Sequence, residues 1–210
     1  MKTKIFLIRH GESEQNAEDV LSGVTDVPLS SKGKSQCVLL SRFFKNKPVD
    51  RVFASPLQRA QESAGLIFPR HAPNILVKDS LIEFNYGKYE GFNRASYNSD
   101  LDEIINQWLA APSNLSFPGG GNIQEHANDS YLGLLEIASQ NQGKAIACIS
   151  HRTTIRLIVA KTIGLHLDKF RFVPCSNCGI TEFSFDGELK LISLNVTPQY
   201  VSASWISTEQ

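Results

Sequence analysis

Short apolar runs bounded by polar loops recur along this chain, with stretches of helical spacing between them. Lys4 to Ile8, Arg51 to Ala54 and Lys144 to Ser150 have the character of strands buried on both faces, as parallel neighbours in a sheet are. Parallel neighbours cannot be joined by a tight turn; they need a crossover, most often a helix. The intervening text supplies the helices. Ser31 to Lys45 carries Cys37, Val38, Leu40, Phe43 and Phe44 at helical spacing and closes before Pro48. Ser55-Pro56 predicts a hydroxyl cap followed by proline at the first helical position, opening a helix that continues through Leu57 to Phe68. Further helices are expected at Asp100 to Ala110, Ile123 to Gln140 and about Thr153 to Gly164, the second of them entered through the breaker cluster Phe117-Pro-Gly-Gly-Gly-Asn122. Ile75 to Lys78 reads as a third strand and Asp79 to Gly91 as an irregular, functional loop. Near the end, Asp186-Gly187 lies between Ile180 to Phe185 and Glu188 to Leu194, the pattern of a tight antiparallel hairpin. The expected fold is therefore α/β: a three-layer sandwich, its sheet mostly parallel with helices on both faces and a C-terminal antiparallel hairpin. No repeat, low-complexity tract or linker breaks residues 1–210, so a single domain is expected.

The 21 Lys+Arg are matched by 21 Asp+Glu. That balance speaks against a nucleic-acid coat, because neither sign dominates the long-range field. No run approaches the roughly 18 to 20 apolar residues that span a bilayer, and Ile5 to Ile8 is too short for the core of a signal peptide. A soluble, cytoplasmic protein with no nucleic-acid or membrane partner is expected, in which the N-x-S/T triplets at Asn114, Asn128 and Asn195 have no role. Its oligomeric state, monomer or homodimer, stays open, as does whether Asn195 to Gln210 packs on its own domain or on a partner. Cys37, Cys148, Cys175 and Cys178 are too few and too irregular for a disulfide framework. Cys175 and Cys178 have C-x-x-C spacing. No second such pair completes a zinc site, and the strand pattern GITEFSF follows where a redox pair would open a helix. Reduced, partly buried thiols are the expectation.

Ligands of an open α/β sheet bind outside the carboxyl ends of its strands. There the chain puts Arg9-His10-Gly11 after the first strand, Ser55 to Arg59 after the second and His151-Arg152 after KAIACIS. Two histidines and several arginines from distant parts of the sequence suit a phosphoryl group. Guanidinium forks match phosphate oxygens bidentately, and imidazole serves as a nucleophile or a hydrogen-bond donor. Helix amino termini beside the same loops add backbone N–H donors. One such residue alone carries little weight, since a lone His or Arg at a strand end is more often structural or solvated.

Leu7-Ile8-Arg9-His10-Gly11-Glu12-Ser13, with Asn16 behind it, resembles the signature of the histidine phosphatase superfamily, in the branch that includes the cofactor-dependent phosphoglycerate mutases. Ser55-Pro56-Leu57-Gln58-Arg59-Ala60, Leu81-Ile82-Glu83 with Gly87 and Glu90-Gly91, and Ile149-Ser150-His151 resemble its further motifs, in order from residue 4 to about 185. The resemblance implies that His10 attacks phosphorus and becomes a transient phosphohistidine. It implies that Arg9, Arg59 and His151 hold the phosphoryl oxygens with help from Asn16, and that Gly23 lies among the substrate-binding residues. Glu83 would protonate the leaving oxygen and then activate water. On this scheme His10 is neutral, its second ring nitrogen donating to a nearby backbone carbonyl, while His151 is protonated. Glu83 needs a raised pKa, from partial burial or from the charge of the incoming phosphate. No metal and no cofactor is required. The expected activity is metal-independent hydrolysis of a small phosphorylated metabolite.

Departures from the family pattern qualify this. Arg152 stands where family members commonly have a small residue; it either extends the cationic wall toward a second acidic group on the substrate or points away to solvent. Gly121-Asn122 replaces a Glu-Ser pair, which loosens the loop over the pocket or moves the helix cap onto Asn122. The family's mutases resemble one another in a Trp after the glycine that follows the first motif, an Arg after the acidic residue and an inserted lid with an arginine pair. Here Val24 follows Gly23, Phe84 follows Glu83 and Arg94 is the only arginine from Glu90 to Gly121. Those differences favour hydrolysis over the alternative of mutase-type transfer. A catalytically impaired phosphoryl-binding regulator is the other alternative, opposed by retention of all five reacting positions. Phe84, Tyr86, Tyr89, Phe92, Tyr97 and Trp108 either form a specificity wall or, more often at such spacing, fill core.

Overall fold

The structure is a computed structural model describing residues 2–93 and 103–197. Its regular elements are β1 (Thr3–Arg9), α1 (Glu14–Ala17), α2 (Ser31–Phe44), β2 (Arg51–Ala54), α3 (Gln58–Ile67), β3 (Leu76–Val77), α4 (Glu103–Ala110), α5 (Ile123–Ser139), β4 (Ala145–Ser150), α6 (Arg152–Ile163), β5 (Ile180–Phe185) and β6 (Leu189–Val196). They build one sheet in the order β3-β2-β4-β1-β5-β6. β1 runs parallel to β4, and β2 parallel to both β4 and β3. β5 is antiparallel to β1 and to β6, so the expected hairpin is the far margin of a mostly parallel sheet.

Successive side chains of a strand point to opposite faces, and β1 uses this to hold two cores at once. Ile5 and Leu7 join Ile146 and Cys148 in a layer with Leu134 of α5 and Ile158 of α6. Phe6 and Ile8 join Ala147 and Ile149 in a layer with Leu40 of α2 and Ala64 of α3. The helices that follow β1 and β4 thus lie on opposite faces, although the two strands are neighbours. That arrangement opens a crevice at their carboxyl ends, the place where open α/β sheets bind ligands.

Local chemistry sets the helix ends. The Ser30 hydroxyl accepts from the Gly33 N–H at 3.0 Å and starts α2. The Asn122 side chain accepts from the Glu125 N–H at 3.0 Å, so the cap of α5 does fall on Asn122. Gly164, at φ +68°, closes α6 in the left-handed conformation that glycine adopts without strain.

Other expectations are corrected. α3 begins at Gln58 behind Leu57, with no side-chain cap, because the Ser55 hydroxyl is engaged elsewhere. The third strand shrinks to Leu76–Val77, both exposed at the sheet edge. Within the expected loop from Asp79 to Gly91 lie two short 3-10 turns, Asp79–Leu81 and Gly87–Tyr89. The aromatics after Glu83 are chiefly core: Phe84 and Tyr86 are buried with Phe117 and Phe170, and Tyr89 and Trp108 pack against them. Arg94, Tyr97, the start of the helix expected from Asp100 and the segment from Pro198 onward lie outside the described residues. No helix among the described residues is long and apolar enough to cross a membrane.

Candidate active site

Arg9 pairs with Ser150 across β1 and β4, so the next residues, His10 and His151, leave the sheet side by side. The His10 N–H donates to the Ser150 carbonyl at 3.0 Å, and the two imidazole centroids are 5.0 Å apart. His10 Nδ1 lies 2.6 Å from the Gly11 carbonyl. A carbonyl can only accept, so Nδ1 carries the proton and Nε2 keeps its lone pair. Burial first, and then the charges of Arg59 and Arg9, push the His10 pKa well below the usual imidazole range. His10 is therefore a neutral base with one nitrogen committed, as the sequence led us to expect.

His151 departs from expectation. It is wholly buried, and burial followed by the Arg59, His10 and Arg9 charges pushes its pKa well below the usual imidazole range, against the protonated ring that was expected. A third cation in this place would have to be desolvated beside two guanidinium groups. Its Nε2 is 2.7 Å from Ser55 Oγ, and its Nδ1 has no partner among the described residues. Ser55 Oγ also accepts from the Leu57 N–H at 3.3 Å.

Arg9 is held by a segment 166 residues away. Its Nη1 donates to the Cys175 carbonyl at 2.9 Å and its Nη2 to Asn16 Oδ1 at 3.4 Å. The Asn177 amide donates to that same Asn16 oxygen and to the His10 carbonyl, and the Cys178 N–H donates to the Arg9 carbonyl. Cys175 to Cys178 thus serves as a backbone cradle for Arg9-His10. All four cysteines are free, and the Cys178 sulfur meets Cys37, at 3.7 Å, rather than Cys175. Among the described residues no His, Cys, Asp and Glu side chains gather as a metal site would need.

Arg59 sits in the first turn of α3 and is 1 % exposed. Its Nη2 and Nη1 donate to the Gly23 and Thr25 carbonyls at 2.6 and 2.8 Å. Those carbonyls are placed by Glu90, whose carboxylate accepts from the N–H groups of Val24 (2.9 Å), Thr25 (2.7 Å) and Tyr86 (3.1 Å) and from the Thr25 hydroxyl. Gly23, at φ +53°, leaves room for that carboxylate: a Cβ there would come within 2.0 Å of Glu90 Oε1.

Glu83 follows the Asp79–Leu81 turn, which the Ser150 hydroxyl anchors by donating to the Leu81 carbonyl at 2.7 Å. Its carboxylate accepts from the N–H groups of Phe84, Thr153 and Thr154 at 2.9, 3.2 and 3.2 Å, the last two from the amino terminus of α6. The Thr154 hydroxyl lies 3.2 Å from the same carboxylate, 2.6 Å from the Ile82 carbonyl and 2.9 Å from His126 Nε2.

These residues line a solvent-open pocket, walled by Arg9, His10, Asn16, Gly23, Arg59, Glu83 and Arg152 with Tyr86 and Thr153. Every site residue expected from the sequence therefore reaches one pocket, except His151, which supports it from inside the core. Arg152 is among the residues that line this pocket, half-buried at the start of α6. Sequence reading assigned no role to Glu90, Asn177 or Thr154, and gave Ser55 only that of a helix cap. Glu90 and Ser55 stand inside recognisable motifs, which was the available signal; Asn177 and Thr154 had none.

The Hydrogenobacter thermophilus phosphoserine phosphatase 1 is 26% identical over 92% of both chains. A probable phosphoglycerate mutase of Escherichia coli O1:K1 is also 26% identical, over 90% of this chain and 88% of its own. Among solved structures, an Entamoeba histolytica phosphoserine phosphatase, a histidine-to-alanine mutant in complex with phosphoserine, superposes with a TM-score of 0.83 at 27% identity, covering 95% of this chain and all of the other. With a family model that also matches residues 5–197, the chain belongs to the histidine phosphatase superfamily, branch 1.

Proposed function

We propose that this phosphatase hydrolyses a small phosphomonoester through a phosphohistidine on His10, without a metal ion. The observation that carries the reading is a neutral His10 whose Nδ1 is tied to Gly11 while its ring faces a pocket holding Arg9 and Arg59. A phosphate monoester near neutral pH carries close to two negative charges. Each guanidinium has five N–H groups and the structure engages only two, so both keep donors for phosphoryl oxygens after being fixed in place. Neutral His151 backs His10 from inside the core, with its Nε2 beside the Ser55 hydroxyl.

His10 Nε2 attacks phosphorus in line, and the bond from phosphorus to the ester oxygen breaks as Glu83 gives that oxygen a proton. The ionised Glu83 then takes a proton from water, whose oxygen displaces the histidine from phosphorus. Inorganic phosphate and neutral His10 result. Phosphoserine phosphatases among the relatives fit a substrate of metabolite size.

Incubation with an aryl phosphate in EDTA tests the reading. Phosphate release that His10→Ala abolishes is expected. Loss of activity with the chelator, or a His10→Ala variant as fast as wild type, would overturn it.

A further inference from the structure

We propose that Arg152 reads a second negative charge on the substrate, a carboxylate close to the phosphoester, and so selects carboxylated phosphomonoesters. The inference rests on the hydrolysis reading above. Arg152 is the first residue of α6 and shares the pocket wall with His10 and Glu83. Its surroundings differ from those of every other arginine near the site. Arg9 and Arg59 are each clamped by two acceptors, and Arg156 donates through Nε to the Val173 carbonyl at 2.7 Å. The Arg152 guanidinium has no hydrogen bond or ion pair among the described residues, and it is only partly buried. Among the described residues no acid forms an ion pair with it. Glu83 is taken up by three N–H groups, and Glu90 by the loop that holds Arg59. Its charge is instead spent against Arg9, on which it is the largest lowering influence after burial.

Arg59 has the Glu83, Asp26 and Glu90 carboxylates acting on it, and Arg9 is tied to Cys175 and Asn16, whereas the Arg152 charge on the same wall has no bonded partner among the described residues. A neutral substrate tail gives that charge nothing, and the adjoining wall of Val20, Leu21 and Tyr86 offers it no counter-ion. A carboxylate matches a guanidinium fork bidentately and gives Arg152 the partner that it lacks.

Two matched pairs of substrates test this. 3-Phosphoglycerate and glycerol 3-phosphate differ by a carboxylate in place of a hydroxymethyl group; O-phosphoserine and O-phosphoethanolamine differ by the carboxylate alone. Wild type is expected to favour the carboxylated member of at least one pair by about tenfold to a hundredfold in kcat/KM, the range of a lost hydrogen bond to a charged group. Arg152→Gln should collapse that ratio toward one, chiefly through KM, and Arg152→Lys should retain part of it as a point charge without the fork. Absence of discrimination by wild type, or equal losses on both members in Arg152→Gln with an unchanged melting temperature, would overturn the proposal. The second outcome would instead place Arg152 on the phosphoryl group. Failure to release phosphate from any of the four, or from an aryl phosphate, would strike the hydrolysis reading. Calorimetric binding of 3-phosphoglycerate against glycerol 3-phosphate, in wild type and Arg152→Gln, then still decides the role of Arg152.

Discussion

Removing the Glu90 carboxylate should damage both folding and turnover, although no reacting role falls to that residue. Glu90 accepts from three backbone N–H groups, at 2.7 to 3.1 Å, and from the Thr25 hydroxyl. Hydrogen bonds to a charged acceptor contribute about 1.5–3 kcal/mol each, but two of the donors stand where water replaces the lost partner. A net loss of about 2–4 kcal/mol follows for Glu90→Ala, and in a domain of this size that lowers the melting temperature by roughly 5–12 °C. The Gly23 and Thr25 carbonyls then lose the clamp that aims them at Arg59. Because a misplaced charged donor costs catalysis at least as much as a deleted neutral one, kcat/KM on an aryl phosphate should fall about tenfold or more. Glu90→Gln keeps one acceptor oxygen and sets an amide NH2 against a backbone donor, so it should lie between. Thermal melts and steady-state kinetics on the same preparations decide. If Glu90→Ala matches wild type in both, or melts low with unchanged kcat/KM, the chain of reasoning from Glu90 through the loop to Arg59 is wrong.

Gly23→Ala should copy that phenotype, because its Cβ would collide with the same carboxylate, and a double variant with Glu90→Ala should show losses well short of additive in melts and kinetics. Ser55→Ala leaves His151 Nε2 and the Leu57 N–H without their partner and should cost roughly tenfold in kcat/KM, with the melting temperature reported beside it to separate catalysis from folding. Acidification should destabilise the fold. His10 and His151 are buried and His126 half-buried, all with pKa values lowered chiefly by burial, so the unfolded chain binds protons near the usual 6.5 while the folded chain does not. Their contribution is complete above about pH 6.5 and is lost as pH falls toward the lowered values, so the melting temperature should drop between about pH 7 and about pH 5. For the same reason the acid limb of kcat/KM should lie below the usual imidazole range.

Much of this was legible in the sequence because parallel strands announce themselves. Runs such as Leu7-Ile8 and Ala147-Cys148-Ile149 must be buried on both sides, and residues just past such runs must come together. That logic alone brings Arg9, His10, Arg59 and His151 to one crevice. It stopped at contacts that depend on three-dimensional proximity alone. Arg9 leans on the Cys175 carbonyl, a backbone atom with no signature in any side chain. The Cys175 and Cys178 pair drew attention as chemistry and turned out to matter as main chain. Ser55 read as a helix cap because its local text fits one; the tertiary partner, His151, prevailed. Protonation of His151 was misjudged because charge state depends on burial, and burial beside two arginines is invisible to a motif.

The central claim is that phosphorus passes through His10. Rapid mixing of enzyme with a labelled phosphomonoester, quenched in base to preserve phosphohistidine, followed by peptide mapping, tests it directly. The label should appear on the peptide containing His10, disappear on acid treatment, accumulate further in Glu83→Gln as hydrolysis slows, and be absent in His10→Ala. Label on any other residue, or undiminished turnover with no labelled protein in either form, would contradict it.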